Sequence, residues 1–213
     1  LEDLLQRRAF SLKNIKVLVL DEADRMLDMG FKPPIDRIVA QTPRGRQTLF
    51  FSATMPGPIG QLAHEMLRNP ATINLERKAA PAVGITQAVY PVSQDLKSSL
   101  LLQLLVRGEM QEVLVFTRTK HRADRLQKFL AKHDIAAERI HGNRSQPQRT
   151  EALAGFKSGK YRVLVATDIA ARGIDIDELP HVVNYEIPNV SEDYVHRIGR
   201  TGRAGNSGEA VSL

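Results

Sequence analysis

Eight short runs rich in β-branched residues and leucine recur along the chain: "IKVLVL" (15–20), "QTLFF" (47–51), "ITQAVYPV" (85–92), "EVLVFT" (112–117), "ERIHG" (138–142), "YRVLVATD" (161–168), "HVVNYE" (181–186) and "GEAVSL" (208–213). Several are apolar at consecutive positions rather than alternating, the pattern of parallel strands covered on both faces. Between them the period changes to that of helices. In "TKHRADRLQKFLAKH", Ala123, Leu126, Phe129 and Leu130 fall on one stripe, with basic residues elsewhere. "SQPQRTEALAGFKSGK" groups Ala152, Leu153 and Phe156 behind Ser145 as an N-cap, with Pro147 tolerated in the first turn. Strand–helix alternation of this kind predicts an α/β fold built on open parallel sheets.

One stretch breaks the rhythm. "ERKAAPAVG", 76–84, is small, charged and punctuated by proline and glycine, which predicts a linker. Ahead of it, 1–75 holds two or three strands, too few for a complete doubly wound sheet, and is expected to expose apolar sheet surface. Behind it, 85–213 has the size of a domain. The chain opens at Leu1 rather than methionine and closes on "GEAVSL", which reads as a piece of a longer protein.

Composition narrows the classes. The 213 residues are 42% hydrophobic and 25% charged, ordinary values for a soluble globular protein. A net charge of +6 fits a polyanionic partner such as nucleic acid without requiring one. The absence of cysteine excludes disulfides and thiolate–metal sites and fits a reducing cytoplasm. No apolar run approaches the length of a membrane span, so no membrane partner is expected.

The candidate chemistry begins where "VLVL" runs straight into Asp21, Glu22 and Asp24. In open α/β sheets, ligands bind beyond the carboxyl ends of the strands. A strand-end aspartate helps hold Mg²⁺ in P-loop phosphohydrolases, and an adjacent carboxylate can orient or deprotonate water. The alternative is a helix N-terminus, with Asp21 as N-cap and Glu22 and Asp24 favoured by the macrodipole. The residues alone leave both open. "FFSAT" is a second strand end, whose hydroxyls Ser52 and Thr54 either bond those acids or cap the next turn. "VLVATD" is a third, ending in Thr167 and Asp168, and a helix cap is the alternative for Asp168.

The sharpest pattern is "YVHRIGRTGRAG", 194–205. Arg197, Arg200 and Arg203 recur every three residues, interleaved with Gly199, Gly202 and Gly205. A helix is poorly served by those glycines. Tyr194, Val195 and Ile198 anchor the segment, glycine lets backbone approach a ligand, and guanidinium forks match phosphate oxygens. The spacing predicts a phosphate-binding turn; a solvated basic turn is the plainer reading.

In this order the blocks resemble the DEAD-box ATP-dependent RNA helicases of superfamily 2. "DEAD" is residues 21–24, followed by "SAT" (52–54), "VLVFTRTK" (113–120), "HGNRSQPQR" (141–149), "VLVATDIAARGIDI" (163–176) and "HRIGRTGR" (196–203). "DEADRMLDMGF" and "RQTLFFSATMP" are similar to the bacterial RhlE-type branch. The resemblance implies RecA-like parallel sheets flanked by helices: the C-terminal half of a first RecA-like domain, then a nearly complete second one, with ATP and RNA bound across their cleft. It implies that Asp21 holds Mg²⁺ through water and that Glu22 activates the hydrolytic water. Arg200 and Arg203 become arginine fingers on the γ-phosphate, a role worth ~10³–10⁵ in rate in related phosphoryl transfer. Asp24, Ser52, Thr54 and His196 become the network coupling hydrolysis to closure, and Gly173 and Asp175 approach the nucleotide. Thr117 and Arg118, Gly142, Gln146, Arg149 and Thr167 become RNA contacts. The residues themselves leave Arg149 open as an exposed helix charge and His196 as a buried, satisfied histidine.

Aromatic residues are only 5% of the chain, and the implied RNA elements hold no stacking platform. RNA is therefore expected to be gripped by phosphates and 2′-hydroxyls, with little regard for sequence. No G-x-x-x-x-G-K-[ST] loop occurs, and "KSGKYR" (157–162) has the wrong spacing. The expectation is a truncated piece of an RNA-dependent ATPase and helicase, itself a weak RNA binder without turnover. Two rivals stand beside it: a non-catalytic RNA-binding adaptor, and a DNA-directed motor of the same superfamily, against which Ala23, Asp24 and His196 argue. Ribonucleoprotein or RNA-decay partners are expected to act through extensions outside this chain.

Overall fold

The computed structural model describes residues 1–55, 57–74, 84–108, 110–171, 174, 176, 178–202 and 207–213. The chain forms two compact units, Leu1–Glu76 and Arg77–Leu213. Of the expected linker 76–84, only Gly84 lies among the described residues.

The first unit runs α1 (Glu2–Gln6), β1 (Val17–Leu20), α2 (Ala23–Asp28), α3 (Lys32–Val39), β2 (Gln47–Phe50) and α4 (Gly57–Met66). The two strands pair in parallel, Val17 opposite Gln47 through Leu20 opposite Phe50. Alternation then sorts their side chains. Leu18, Leu20 and Phe50 pack with Met26 and Leu27 of α2, Ile35 and Val39 of α3, and Leu62 and Met66 of α4. Val17, Val19, Leu49 and Phe51 remain exposed. "VLVL" carries apolar residues on both faces, as a doubly covered strand does, yet only one face is covered here; the expected bare sheet surface is present.

The second unit comprises β3 (Ile85–Val89), α5 (Lys97–Val106), β4 (Val113–Thr117), α6 (Lys120–Lys132), β5 (Ala137–Ile140), α7 (Gln146–Lys157), β6 (Val163–Thr167), α8 (Asp168–Ala171), β7 (His181–Asn184), α9 (Ser191–Ile198) and β8 (Gly208–Ser212). Its six strands form one parallel sheet in the order β3-β8-β7-β4-β6-β5. Val113, Val115, Val163, Val165, Val183 and Val211 pack with α5 and α6. Their neighbours Leu114, Phe116, Leu164, Ala166 and Val182 pack with α7, α8 and Ile176. Each fully buried Val or Leu contributes about 1.5–3 kcal/mol, which is why the central strands read as unbroken apolar runs.

Local signals set the helix starts. The Thr119 hydroxyl accepts the Arg122 N–H at 3.3 Å and caps α6. Ser145 and Gln148 form a capping box at α7, with Pro147 in its first turn. All eight expected strands are present, each one to three residues shorter than the run that predicted it.

Candidate functional site

In the first unit the carboxylates follow β1 directly. Asp21 and Glu22 are exposed, whereas Asp24 is buried. Asp21 does not cap α2: Glu22 takes the N-cap position, with φ 50° and ψ 46° and no capping bond from its side chain. Asp21 Oδ1 instead accepts the Glu22 N–H at 2.9 Å, fixing the turn between them. A left-handed non-glycine residue costs about 1–2 kcal/mol and is found where the fold must aim a side chain. The Glu22 carboxylate points into solvent and accepts a bond from Arg25 Nη1 at 3.2 Å.

Backbone bonds align the second strand end with this turn. Phe51 N–H donates to Leu20 O (2.8 Å), and Ala23 N–H donates to Phe51 O (3.0 Å). That places Asp24 against Thr54, whose N–H and hydroxyl both donate to Oδ2, at 2.8 and 2.9 Å; Arg25 N–H donates to Oδ1 at 3.0 Å. Burial pushes the Asp24 carboxyl up, but these bonds outweigh it and hold it below the ordinary aspartate range. Ser52 joins by donating to the Thr54 carbonyl at 2.6 Å. His196 stands half-buried on α9 of the second unit.

Among the described residues no cluster of three or more His, Asp or Glu could cage a metal. Mg²⁺ keeps much of its water and is usually held by one or two carboxylates together with substrate phosphates, and the exposed Asp21 carboxylate is of that kind.

In the second unit the expected RNA residues gather at the carboxyl edge of the sheet. Thr117 and Thr167 end β4 and β6 as register partners. Thr117 has no exposed surface, and its hydroxyl donates to Thr119 O at 3.3 Å, so it anchors the segment; Thr167 is buried as well. Arg118 is exposed, held by its N–H on Glu186 Oε2 (2.9 Å) and its Nε on Ile187 O (3.2 Å). Gly142 is exposed, with open space where a Cβ would stand. Gln146 is exposed at the start of α7. Arg149 is not a free helix charge: it is half-buried and donates from Nη2 to Ala170 O at 3.3 Å. Gly173, Asp175 and Arg203 lie outside the described residues.

The period-three arginines separate. Tyr194 to Ile198 are helical, and α9 ends at Gly199, so the segment is part helix and part turn. Arg197 is 2% exposed and grips both carboxylate oxygens of Asp168, Nε to Oδ1 at 2.5 Å and Nη2 to Oδ2 at 2.7 Å. Its Nη1 donates to Asn184 Oδ1 (3.0 Å) and Glu186 O (2.6 Å), and its guanidinium lies 5.0 Å from the Phe116 ring centre. It has no fork left for a phosphate. Asp168, the first residue of α8, is correspondingly the ion-pair partner of Arg197. Arg200, beyond the helix, is half-buried and donates to Ile174 O at 3.3 Å.

Two supports were not anticipated. Buried Thr201 donates its hydroxyl to Leu179 O, and the two residues form an isolated parallel bridge that pins the Arg200 turn. His141 is buried with Nε2 at 3.1 Å from Asp124 Oδ1, while its Nδ1 accepts the Asn143 N–H at 3.3 Å, bracing the Gly142 loop. An acid and a histidine brought together from separate elements leave no periodic trace. For Thr201, its place between two glycines of the basic segment was the available signal.

Comparison with known proteins bears on both units. The family model described as "Helicase conserved C-terminal domain" matches residues 96–205, and that described as "DEAD/DEAH box helicase" matches residues 1–62. A DEAD box protein from the hyperthermophile Methanococcus jannaschii is 38% identical, with 99% of this chain and 56% of that one covered and a TM-score of 0.57. Saccharomyces cerevisiae Dbp5 bound to RNA and ADP BeF3 is 32% identical, with 99% and 56% covered and a TM-score of 0.85. A hypothetical ATP-dependent RNA helicase from Sulfolobus tokodaii is 33% identical, with 100% and 61% covered and a TM-score of 0.56. This chain thus spans a little over half the length of these relatives.

Proposed function

This chain belongs to the DEAD-box helicase family, whose RecA-like fold of parallel sheets flanked by helices it shares, and on that footing we propose that it acts within an ATP-dependent RNA helicase, coupling hydrolysis to RNA binding and local duplex opening. The observation that carries this reading is the division of labour at the β1 exit. Two carboxylates stay exposed on a turn forced into shape, while the third is buried and spent on Thr54.

In this reading Glu22 orients and deprotonates the attacking water. Asp21 holds Mg²⁺ through water; the ion, bound with ATP, neutralises charge on the phosphates. Asp24, Thr54 and Ser52, together with His196, couple the nucleotide state to the RNA state. Arg200 and Arg203 stabilise charge on the transferring phosphoryl group, and Gly173 and Asp175 approach the nucleotide. Arg118, Gly142, Gln146, Arg149 and Thr167 grip the RNA backbone from the carboxyl edge of the second sheet, with Thr117 holding the segment beneath them. The exposed Gly142 backbone and the absence of an aromatic platform support phosphate and 2′-hydroxyl contacts over base reading. Membership of the bacterial RhlE-type branch and a cytoplasmic location belong to the same proposal. No helix among the described residues is long and apolar enough to cross a membrane.

A second reading rests on the sequence itself. With no G-x-x-x-x-G-K-[ST] loop, these residues offer no backbone cradle for phosphates, which favours an RNA-binding adaptor without turnover. RNA-stimulated ATP hydrolysis separates the two, measured on this chain and on a longer protein whose upstream sequence carries such a loop. Turnover confined to the longer protein and lost in Glu22→Gln supports the helicase. RNA binding with no turnover in either supports the adaptor.

A further inference from the structure

Helix α6 concentrates charge that the strand-end sites do not use. Its thirteen residues carry five lysines and arginines against one aspartate, a net +4 of the chain's +6. Its buried stripe is Ala123, Leu126 and Leu130. On the opposite face, His121, Arg125, Lys128 and Lys132 are all exposed and follow the i, i+4, i+7, i+11 spacing that puts them in one line. Asp124 flanks this line but is turned inward to Arg139 and His141. Arg122, on the other flank, is paired with Glu186. Arg125, Lys128 and Lys132 make no ion pair with any described residue, and Asp134 lies just beyond the helix end.

The neighbours within the line repel. Arg125 and Lys128 stand at i, i+3, and Lys128 and Lys132 at i, i+4, where like charges destabilise a helix. Their Cβ atoms stand ~5–6 Å apart from one to the next, and the line extends for roughly 16 Å. It begins beside the expected RNA contacts. Arg118 immediately precedes the Thr119 cap, and Lys120 Nζ donates to Asn143 Oδ1 at 3.1 Å, next to Gly142. A polyanion leaving the strand-end site over Gly142 therefore meets a track of cations, unpaired among the described residues, whose repulsion it relieves.

We propose that the outer face of α6 is a second RNA track, gripping the phosphates of a strand that continues past the strand-end site; this rests on the RNA-binding reading above. The partner is a flexible polyphosphate backbone rather than a base-specific ligand, because the line offers point charges and no aromatic surface.

The test is fluorescence anisotropy of this 213-residue chain with a short and a long single-stranded RNA of matched composition, across a salt series. The variants are Arg125→Gln/Lys128→Gln/Lys132→Gln, with melting checked to show an unchanged fold, and Arg149→Ala. The unchanged chain should bind the long RNA more tightly and with a steeper salt dependence. The triple variant should lose that difference, its slope for the long RNA falling by about 2, or ~0.7 for each phosphate contact removed, while its short-RNA affinity holds. Arg149→Ala should weaken both RNAs alike. Equal long-RNA affinity and slope in the triple variant, with Arg149→Ala still damaging, would overturn the track and leave the strand-end reading intact. Absence of binding to either RNA by the unchanged chain would overturn both. Poly-glutamate binding that is lost in the triple variant, with RNA affinity unaltered, would overturn the RNA assignment in favour of an acidic protein.

Discussion

Arg197 and Asp168 form a two-pronged ion pair at 2.5 and 2.7 Å, joining α9 to the residue that follows β6. Every nitrogen of the Arg197 guanidinium has a partner, counting Asn184 and the Glu186 carbonyl. The pair thereby sets the direction in which the chain leaves α9 toward Arg200 and Thr201.

Removing the arginine leaves the partly buried Asp168, Asn184 and Glu186 acceptors without their donor. Breaking a buried pair from one side costs about 3–5 kcal/mol. Because Asp168 keeps a quarter of its side-chain surface exposed, Arg197→Ala should fall at the low end, near ~3 kcal/mol. Urea unfolding of the second unit measures it. A loss under about 1 kcal/mol would mean that the pair does not bind α9 to the sheet.

The distinction between Arg197 and Arg200 was not legible in the sequence, and the reason is physical. Three arginines at equal spacing among glycines look equivalent; what separates them is Asp168, Asn184 and Glu186, each supplied by another part of the chain. The reverse holds for Asp24 and Thr54. Both end apolar runs, parallel strands bring their carboxyl ends side by side, and their meeting followed from the pattern. The strands themselves were legible because burial on both faces requires uninterrupted Val and Leu, as in Val113–Phe116 and Val163–Ala166. Their ends were less so. Tyr185 and Glu186 continue the apolar-and-polar pattern of β7, but the ladder stops at Asn184.

Asp24 gives the first unit an acid-side pH dependence. Its carboxyl is held below the ordinary aspartate range in the fold, so its contribution to stability is fully present above the unfolded-state value. It is lost as pH falls through the lower folded value. Thr54→Val removes one of the two Thr54 donors to a charged acceptor, a loss of roughly 1.5–3 kcal/mol. The Asp24 carboxyl should then titrate at higher pH by carbon-detected NMR, and the acid arm of the stability profile should move the same way. An unmoved titration would show that the Thr54 hydroxyl is not needed to hold the charge.

Gly208 begins β8 where no side chain fits. A Cβ there would lie 1.8 Å from Thr201 Oγ1 and 2.6 Å from Gly202 N. Thr201 is held by Leu179 and Pro180 carbonyls, so it has nowhere to yield. Gly208→Ala should destabilise the second unit by about 1–3 kcal/mol, the usual cost of overpacking, and weaken RNA-stimulated turnover in the longer protein by displacing Arg200. Gly142→Ala is the control, since its Cβ position is open. It should leave the melting temperature unchanged and reduce only RNA affinity.

Glu22 combines an exposed carboxylate with a backbone that glycine would adopt without strain. Its φ of 50° costs the fold about 1–2 kcal/mol relative to a residue at ease there, and its one side-chain partner, Arg25, is a solvent-screened pair worth about 0–1 kcal/mol. Glu22→Gly should therefore raise stability, by up to ~1 kcal/mol once the added freedom of glycine in the unfolded chain is deducted. The same change should abolish ATP turnover in the longer protein, as should Glu22→Gln, which keeps the strain and removes only the carboxylate charge. Thermal melting and single-turnover hydrolysis of the two variants together make the comparison. A Glu22→Gly protein that is less stable than the original would show that the left-handed turn is not a cost borne for the carboxylate, and a Glu22→Gln protein with full turnover would remove the glutamate from the chemistry.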